Sequence, residues 1–103
     1  MPNVVPFPRK QMLRVELERL FQKYPSIRER RQAGLILQRM AHMRRAILPP
    51  GTAERLGFQP LLEARFLVNH GHGEYGAADA DISAFLGGLQ FTRFWYPQFP
   101  SHP

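Results

Sequence analysis

The stretch from Ser26 to Leu48 constrains the fold most, because a helix-start signal is followed by a long amphipathic pattern and then by two prolines. Ser26 and Glu29 have the spacing of a capping box, in which the two side chains satisfy N–H groups of the first helical turn. At about 100° per residue, one arc of such a helix collects the apolar residues Ala33, Ile36, Leu37, Met40, Met43, Ile47 and Leu48. We therefore predict a central amphipathic helix that ends before Pro49.

A first helix is predicted over residues 9–23, since apolar residues recur there at helical spacing: Leu13, Leu17, Leu20, Phe21 and Tyr24. Pro25 stops this helix directly before the cap at Ser26. The short connection that remains favours two neighbouring helices arranged as a helical hairpin.

Shorter elements are predicted after the central helix. Gln59–Pro60 begins a third, apolar and therefore buried helix that continues to Gly71. Residues 70–78 contain three glycines and no periodicity, which predicts a loop. Asp79 or Asp81 then provides the N-cap of a short helix.

Aromatic residues are dense near the end of the chain, at Phe91, Phe94, Trp95, Tyr96 and Phe99. They are poor helix formers, and Pro97 and Pro100 exclude a central strand, so we predict an extended segment laid across the helices. Residues 1–8 are rich in proline and predict an extended arm with no targeting role. The expected architecture is a mainly α-helical single domain over residues 9–103, built as a small helical bundle.

Positive charge is concentrated in the first half of the chain. The whole chain has a net charge of +6. Residues 1–50 carry eleven of its fourteen Lys and Arg residues and only three acidic residues, all glutamates. On the central helix, the polar face is predicted to align Arg28, Arg31, Arg39, His42 and Arg45. Such a row is typical of a surface that binds phosphates. The alternative interpretation is an ordinary helix face that is exposed to solvent and binds nothing.

The segment Ala53-Glu54-Arg55-Leu56-Gly57-Phe58-Gln59-Pro60 resembles the middle of a helix-turn-helix motif, with a small residue, a glycine four positions later and then a second helix. The resemblance implies a DNA-reading helix whose polar residues are Glu63, Arg65 and Asn69. Thr52 and Glu63 depart from the motif, because apolar residues normally stand at those two positions. The alternative is a buried unit that only packs.

Composition and motifs argue against a catalytic site, a metal site and a membrane span. The chain has no cysteine, which removes disulfides and thiol catalysis and fits a reducing cytoplasm. His70 and His72 are a weak metal signal without a fixed downstream partner, and no serine stands in a nucleophile-elbow context. We therefore expect no enzyme activity, cofactor or metal. No apolar run approaches the roughly 20 residues of a membrane span, so no membrane partner is expected.

Two functions remain open. The first is a small basic regulatory or accessory protein that binds nucleic acid through the arginine-rich helix, with Arg65 as a further contact. The second is a protein-interaction module, such as an adaptor or a stoichiometric inhibitor, that contacts its partner through Phe91, Phe94, Trp95 and Tyr96. An acidic protein is an alternative partner for the basic surface.

Overall fold

A computed structural model describes residues 8–95 of the protein, apart from the side chain of Trp95. Its two longest helices are α1, Arg9–Lys23, and α2, Ile27–Arg39. The bounds of α1 are those predicted, and the five predicted apolar residues from Leu13 to Tyr24 are all buried. The predicted arm falls mostly outside the described residues.

The connection between α1 and α2 is fixed by side chains at both helix ends. The Glu29 N–H donates to Ser26 Oγ at 3.3 Å, and the Ser26 hydroxyl donates to Glu29 Oε1 at 3.2 Å. The predicted N-cap is therefore confirmed, although the glutamate bonds the hydroxyl and not the serine N–H. Arg30 donates to the Phe21 and Tyr24 carbonyls at 3.1 and 3.0 Å, which satisfies acceptors left open where α1 ends.

The central helix is shorter than predicted. After α2 the chain forms a 3₁₀ turn, Ala41–Met43, and then strand β1, Ala46–Ile47. His42 and Met43 have left-handed backbones, with φ of 60° and 63°, and such residues cannot continue a right-handed helix. The prediction of a single helix to Leu48 is wrong for this reason, and Met43 and Ile47 are largely exposed.

One buried serine from a distant part of the sequence fixes this turn. Ser83 is 1% exposed, and its hydroxyl donates to the Met40 carbonyl at 3.1 Å and accepts the Met43 N–H. Both groups are left without helical partners where α2 ends. The serine therefore compensates for the strain of two consecutive left-handed residues.

Two short helices follow β1: α3, Thr52–Arg55, and α4, Gln59–Glu63. Leu56 and Phe58, in the connection between α3 and α4, and Leu61, in α4, are each at most 1% exposed. This segment therefore contributes to the core mainly through the connection between its two helices. The predicted third helix is wrong beyond Glu63, because Arg65 has a left-handed backbone with φ of 62° and the chain then becomes extended.

The predicted loop over residues 70–78 is instead a β-hairpin. Strands β2, Leu67–Gly71, and β3, Glu74–Ala77, pair antiparallel around the two turn residues His72 and Gly73. Those residues have φ of 55° and 78°, as a type I′ turn requires. Strand β1 pairs with the other side of β3, which gives a three-stranded sheet in the order β1-β3-β2.

The sheet covers the core with one face. Ala46, Leu67 and Ala77 are buried on that face. Ile47 and Val68 lie on the opposite face, where they are 74% and 36% exposed. The alternation between the two faces is the period of two that a half-buried sheet requires.

The last described elements are α5, Ala80–Gly88, and α6, Thr92–Trp95. Asp79 Oδ1 accepts the Ile82 N–H at 3.0 Å, so the predicted cap of α5 is confirmed. Helix α6 packs against both α1 and α2. The domain is thus helix-rich with a small sheet, and the prediction of an extended segment is wrong for residues 92–95.

Candidate nucleic-acid interface

The exposed residues of α2 occupy a single arc. At about 100° per residue they span roughly 140° of the helix circumference, and they are Ile27, Arg28, Arg31, Gln32, Leu35, Gln38 and Arg39. No acidic residue of α2 is on this arc, since Glu29 is half-buried and bonded to Ser26. The outward surface of α2 therefore carries three basic residues and no acidic one, with Leu35 near its centre.

A fourth arginine joins this surface from another element. Arg55, in α3, donates from Nη2 to Gln32 Oε1 at 3.2 Å. Its guanidinium therefore lies beside the arc at the level of Gln32. We call the surface formed by these four residues the arginine face: Arg28, Arg31, Arg39 and Arg55. Sequence reasoning missed Arg55 because no local pattern links two side chains 23 positions apart.

The arginine face is compact. Arg28 and Arg39 are eleven residues apart on one helix, a separation of about 16 Å at 1.5 Å per residue. Neither forms an ion pair with an acidic residue in the part of the chain that the structure describes. Their charges are therefore not neutralised by neighbouring carboxylates and are available to an anionic partner.

The other predicted phosphate contacts lie off α2, so the predicted continuous row is wrong. His42 is in the 3₁₀ turn, and its ring lies against Gly87 of α5. Arg45 precedes β1, where its guanidinium lies 4.0 Å from Glu74. Arg65 is exposed beyond the end of α4, and its carbonyl accepts a hydrogen bond from Arg9 at 3.1 Å.

The helix-turn-helix interpretation is not supported by the geometry. Helices α3 and α4 have four and five residues, too few for a helix that reads a DNA groove. Asn69 lies on β2, where its side chain accepts the Gly71 N–H at 2.9 Å. The alternative of a packing unit agrees with the burial of Ala53, Leu56 and Leu61.

Two residues of the predicted aromatic contact surface, Phe91 and Phe94, pack with the core. Phe91 is 3% exposed, and its ring centroid lies 6.3 Å from that of Phe21. Phe94 stacks on Phe21 with centroids 4.7 Å apart and nearly parallel ring planes. Phe91 is therefore buried in the core and not placed to contact a partner, whereas the half-buried Phe94 stays a predicted partner contact. The side chain of Trp95 and all of Tyr96 lie outside the described residues.

A groove of about 440 Å³ lies beside the arginine face, between α1 and the α3–α4 segment. Tyr24 contributes to its wall, and the buried Tyr24 hydroxyl donates to the Leu56 carbonyl at 2.6 Å. Burial raises the pKa of this phenol, the nearby Glu29 carboxylate raises it further, and Arg55 lowers it. Tyr24 is therefore a structural hydrogen-bond donor and not a general base near neutral pH.

The histidine-rich hairpin does not assemble a metal site. Among residues 8–95, no group of three or more His, Cys, Asp or Glu side chains is placed to hold a metal ion. His72 is in the hairpin turn, and the His70 ring lies over Gly76, with Nε2 3.2 Å from the position a Cβ would take there. Within the same range, no helix is long and apolar enough to cross a membrane.

Comparison with protein families, curated proteins and solved structures finds no match to this chain. Its function is therefore inferred from the geometry of its own residues. The arginine face brings together four exposed guanidinium groups, a chemistry suited to anions.

Proposed function

We propose that the protein is a non-enzymatic accessory or regulatory protein that binds the phosphate backbone of nucleic acid through the arginine face. The observation that carries this proposal is the exposed arc of α2, which has three arginines and no acidic residue, with Arg55 held against it. Guanidinium groups suit phosphate because they donate in a fixed fork to two oxygens.

The length of the arginine face fits a backbone contact. Arg28 and Arg39 are separated by about 16 Å along α2, and duplex DNA carries a phosphate about every 3.4 Å of axis on each strand. A DNA duplex whose groove or backbone runs along α2 therefore places several phosphates within reach of the arginines. Such contacts fix position and contribute affinity without reading a particular base sequence.

The test is the salt dependence of binding to a short labelled duplex, measured by fluorescence anisotropy. Replacing Arg28 and Arg39 by Gln keeps good helix formers on α2 and removes two charges. The slope of log affinity against log salt should fall by about 1.8, because each phosphate contact contributes about 0.9. An unchanged slope, with α2 still folded by circular dichroism, would contradict the proposal.

The matched control removes the same charge from a different surface. Arg45→Gln combined with Arg65→Gln changes two exposed arginines that the structure places off α2. This variant should change the slope much less than the Arg28 and Arg39 double variant does. Equal effects of the two double variants would show that only net charge matters and that no defined face binds.

An acidic protein is the second candidate partner, favoured by two apolar side chains on the same arc. Ile27 and Leu35 are 40% and 53% exposed beside the arginines. Leu35→Ser distinguishes the two partners. It should leave affinity for duplex almost unchanged, whereas a protein partner that covers Leu35 would lose affinity, mostly through faster dissociation.

A further inference from the structure

The groove beside the arginine face has half-buried acidic groups and exposed basic ones. Glu16 and Glu29 line it and are half-buried. The cations that line it, Arg19, Lys23 and Arg55, are exposed. The cations are therefore more exposed to solvent than the carboxylates.

This arrangement selects a ligand with two chemically different parts. A phosphate inside the groove would face two carboxylates and be repelled, whereas at the rim it would meet guanidinium and ammonium groups. The part of the ligand that faces the carboxylates must instead carry N–H donors and no negative charge. An extruded nucleotide has this composition, with a neutral base attached to a backbone of phosphates.

The walls of the groove suit a flat, largely apolar ring. The buried residues Leu20, Leu56 and Leu61 line it, and the exposed ring of Pro60 lies on its rim. A volume of about 440 Å³ is within the range of small-molecule sites, which extends from roughly 300 to 1,000 Å³. Because these leucines are at most 7% exposed, a base would pack mainly against Pro60 and remove apolar surface from water there.

Glu16 is the acceptor best placed to choose between bases. Its one hydrogen bond among the described residues is a long contact of 3.4 Å from Arg19 to Oε1, which leaves Oε2 without a partner there. The Glu29 carboxylate, by contrast, already accepts the Ser26 hydroxyl. A free carboxylate binds best to two adjacent N–H donors, and guanine presents such a pair, N1–H and the N2 amino group, on its Watson–Crick edge.

We infer that the groove receives an unpaired guanine of the bound nucleic acid, with Glu16 accepting from its Watson–Crick edge while neighbouring phosphates contact Arg55 and Arg28. The inference rests on the proposed function, because Arg55 belongs both to the arginine face and to the groove. The substrate class is then a duplex or stem interrupted by a bulge or loop. A continuous duplex uses the arginine face alone.

The experiment compares a fully paired duplex with the same duplex carrying one bulged guanine, or one bulged uracil as the base control. The bulged guanine should bind more tightly, by roughly 5- to 140-fold, the discrimination that one good bidentate base contact provides. Glu16→Gln should reduce this preference because its amide places a donor opposite the guanine donors. The same variant should bind the paired duplex at least as well as wild type, since it removes a negative charge.

Glu18→Gln is the matched control, since Glu18 is an exposed residue of α1 that does not line the groove. It should preserve the preference for the bulged guanine. Equal affinity for paired, guanine-bulged and uracil-bulged duplexes would overturn the inference while leaving the arginine face in place. Loss of all binding to every probe would instead refute the proposed function.

A second measurement isolates the groove from the phosphate contacts. Guanosine, which has no phosphate, should shift the amide NMR signals of Gly57 and Leu61, which line the groove. Uridine should shift them less. Shifts that are absent, or spread over the whole chain, would overturn the inference independently of any result with duplexes.

Discussion

Replacing Tyr24 by Phe tests how the α1–α2 connection is held to the rest of the core. The Tyr24 side chain is 5% exposed, and its hydroxyl makes a hydrogen bond of 2.6 Å to the carbonyl of Leu56, which is fully buried. The substitution keeps the ring but leaves the Leu56 carbonyl without its donor. An unsatisfied buried acceptor of this kind costs about 1–3 kcal/mol.

We therefore expect Tyr24→Phe to lower the free energy of unfolding by about 1–3 kcal/mol. For a domain of this size, Tm should fall by about 4–8 °C per kcal/mol. Urea titration and calorimetry at neutral pH measure both quantities.

The same substitution has a pH signature. Burial, reinforced by Glu29, raises the pKa of Tyr24, so the folded protein retains the phenol proton at a pH where the unfolded chain loses it. This contribution to stability is complete below the unfolded value of about 10 and is lost as the pH rises through the folded pKa. Wild type should therefore lose more stability than Tyr24→Phe as the pH rises above about 10.

Tyr75→Phe on β3 is the control, because the Tyr75 ring is half-buried and no hydrogen bond of its hydroxyl is found within residues 8–95. It should cost less stability at neutral pH than Tyr24→Phe does. If Tyr24→Phe unfolded at the same urea concentration as wild type, the Leu56 hydrogen bond would not hold this connection. Parallel loss of stability by wild type and Tyr24→Phe in alkali would contradict the assignment of the raised pKa.

Substitutions at three further positions test other parts of the fold. Ser83→Ala should destabilise the domain by about 1–3 kcal/mol, because it leaves two backbone groups of the left-handed turn unpaired; an unchanged urea midpoint would contradict this. Asp79→Ala should lower Tm more than Asp79→Asn, which keeps an N-cap. The Ile82 N–H and then Arg9 lower the pKa of Asp79, so its contribution is present above about pH 4 and lost in acid. A Tm difference between wild type and Asp79→Ala that is undiminished at low pH would contradict this. Leu37→Asp should unfold the domain, since Leu37 is fully buried, and a cooperative melt near that of wild type would contradict the assigned core face of α2.

The parts of the fold that sequence reasoning predicted are those with redundant local signals. In α1, a helical stripe of large apolar residues is followed by Pro25, and periodicity and helix stop agree. Ser26 and Asp79 are caps whose short side chains act on N–H groups within three residues. Such interactions are local, so their spacing in the sequence is enough to identify them.

The errors fall where tertiary contacts override the local pattern. Residues 40–48 fit a helical stripe, but the chain turns there because Ser83, more than forty positions later, bonds the Met40 carbonyl. The hairpin around His72 and Gly73 was missed because the usual signal of this turn is Asn-Gly or Asp-Gly. Histidine is also enriched among residues with positive φ, and both His42 and His72 have it, which is the signal that could have located both turns.

The candidate interface was predicted only in part, because some of its residues share one helix and others come together through tertiary contacts. Arg28, Arg31 and Arg39 share a face because one continuous helix carries them, and helical periodicity is readable from sequence. Arg45 was assigned to that face only because the helix was predicted too long. Arg55 and the groove depend on how α3 and α4 pack against α1 and α2, which no local pattern encodes.

The position of β1 at an edge of the sheet has a consequence for how the protein behaves at high concentration. An exposed edge strand is a template for pairing with another chain, and Ile47, on β1, is 74% exposed. The strand is only two residues long, with Arg44 and Arg45 before it and Pro49 shortly after it. Like charges repel an approaching copy and proline offers no N–H, so these flanking residues protect the edge against aggregation.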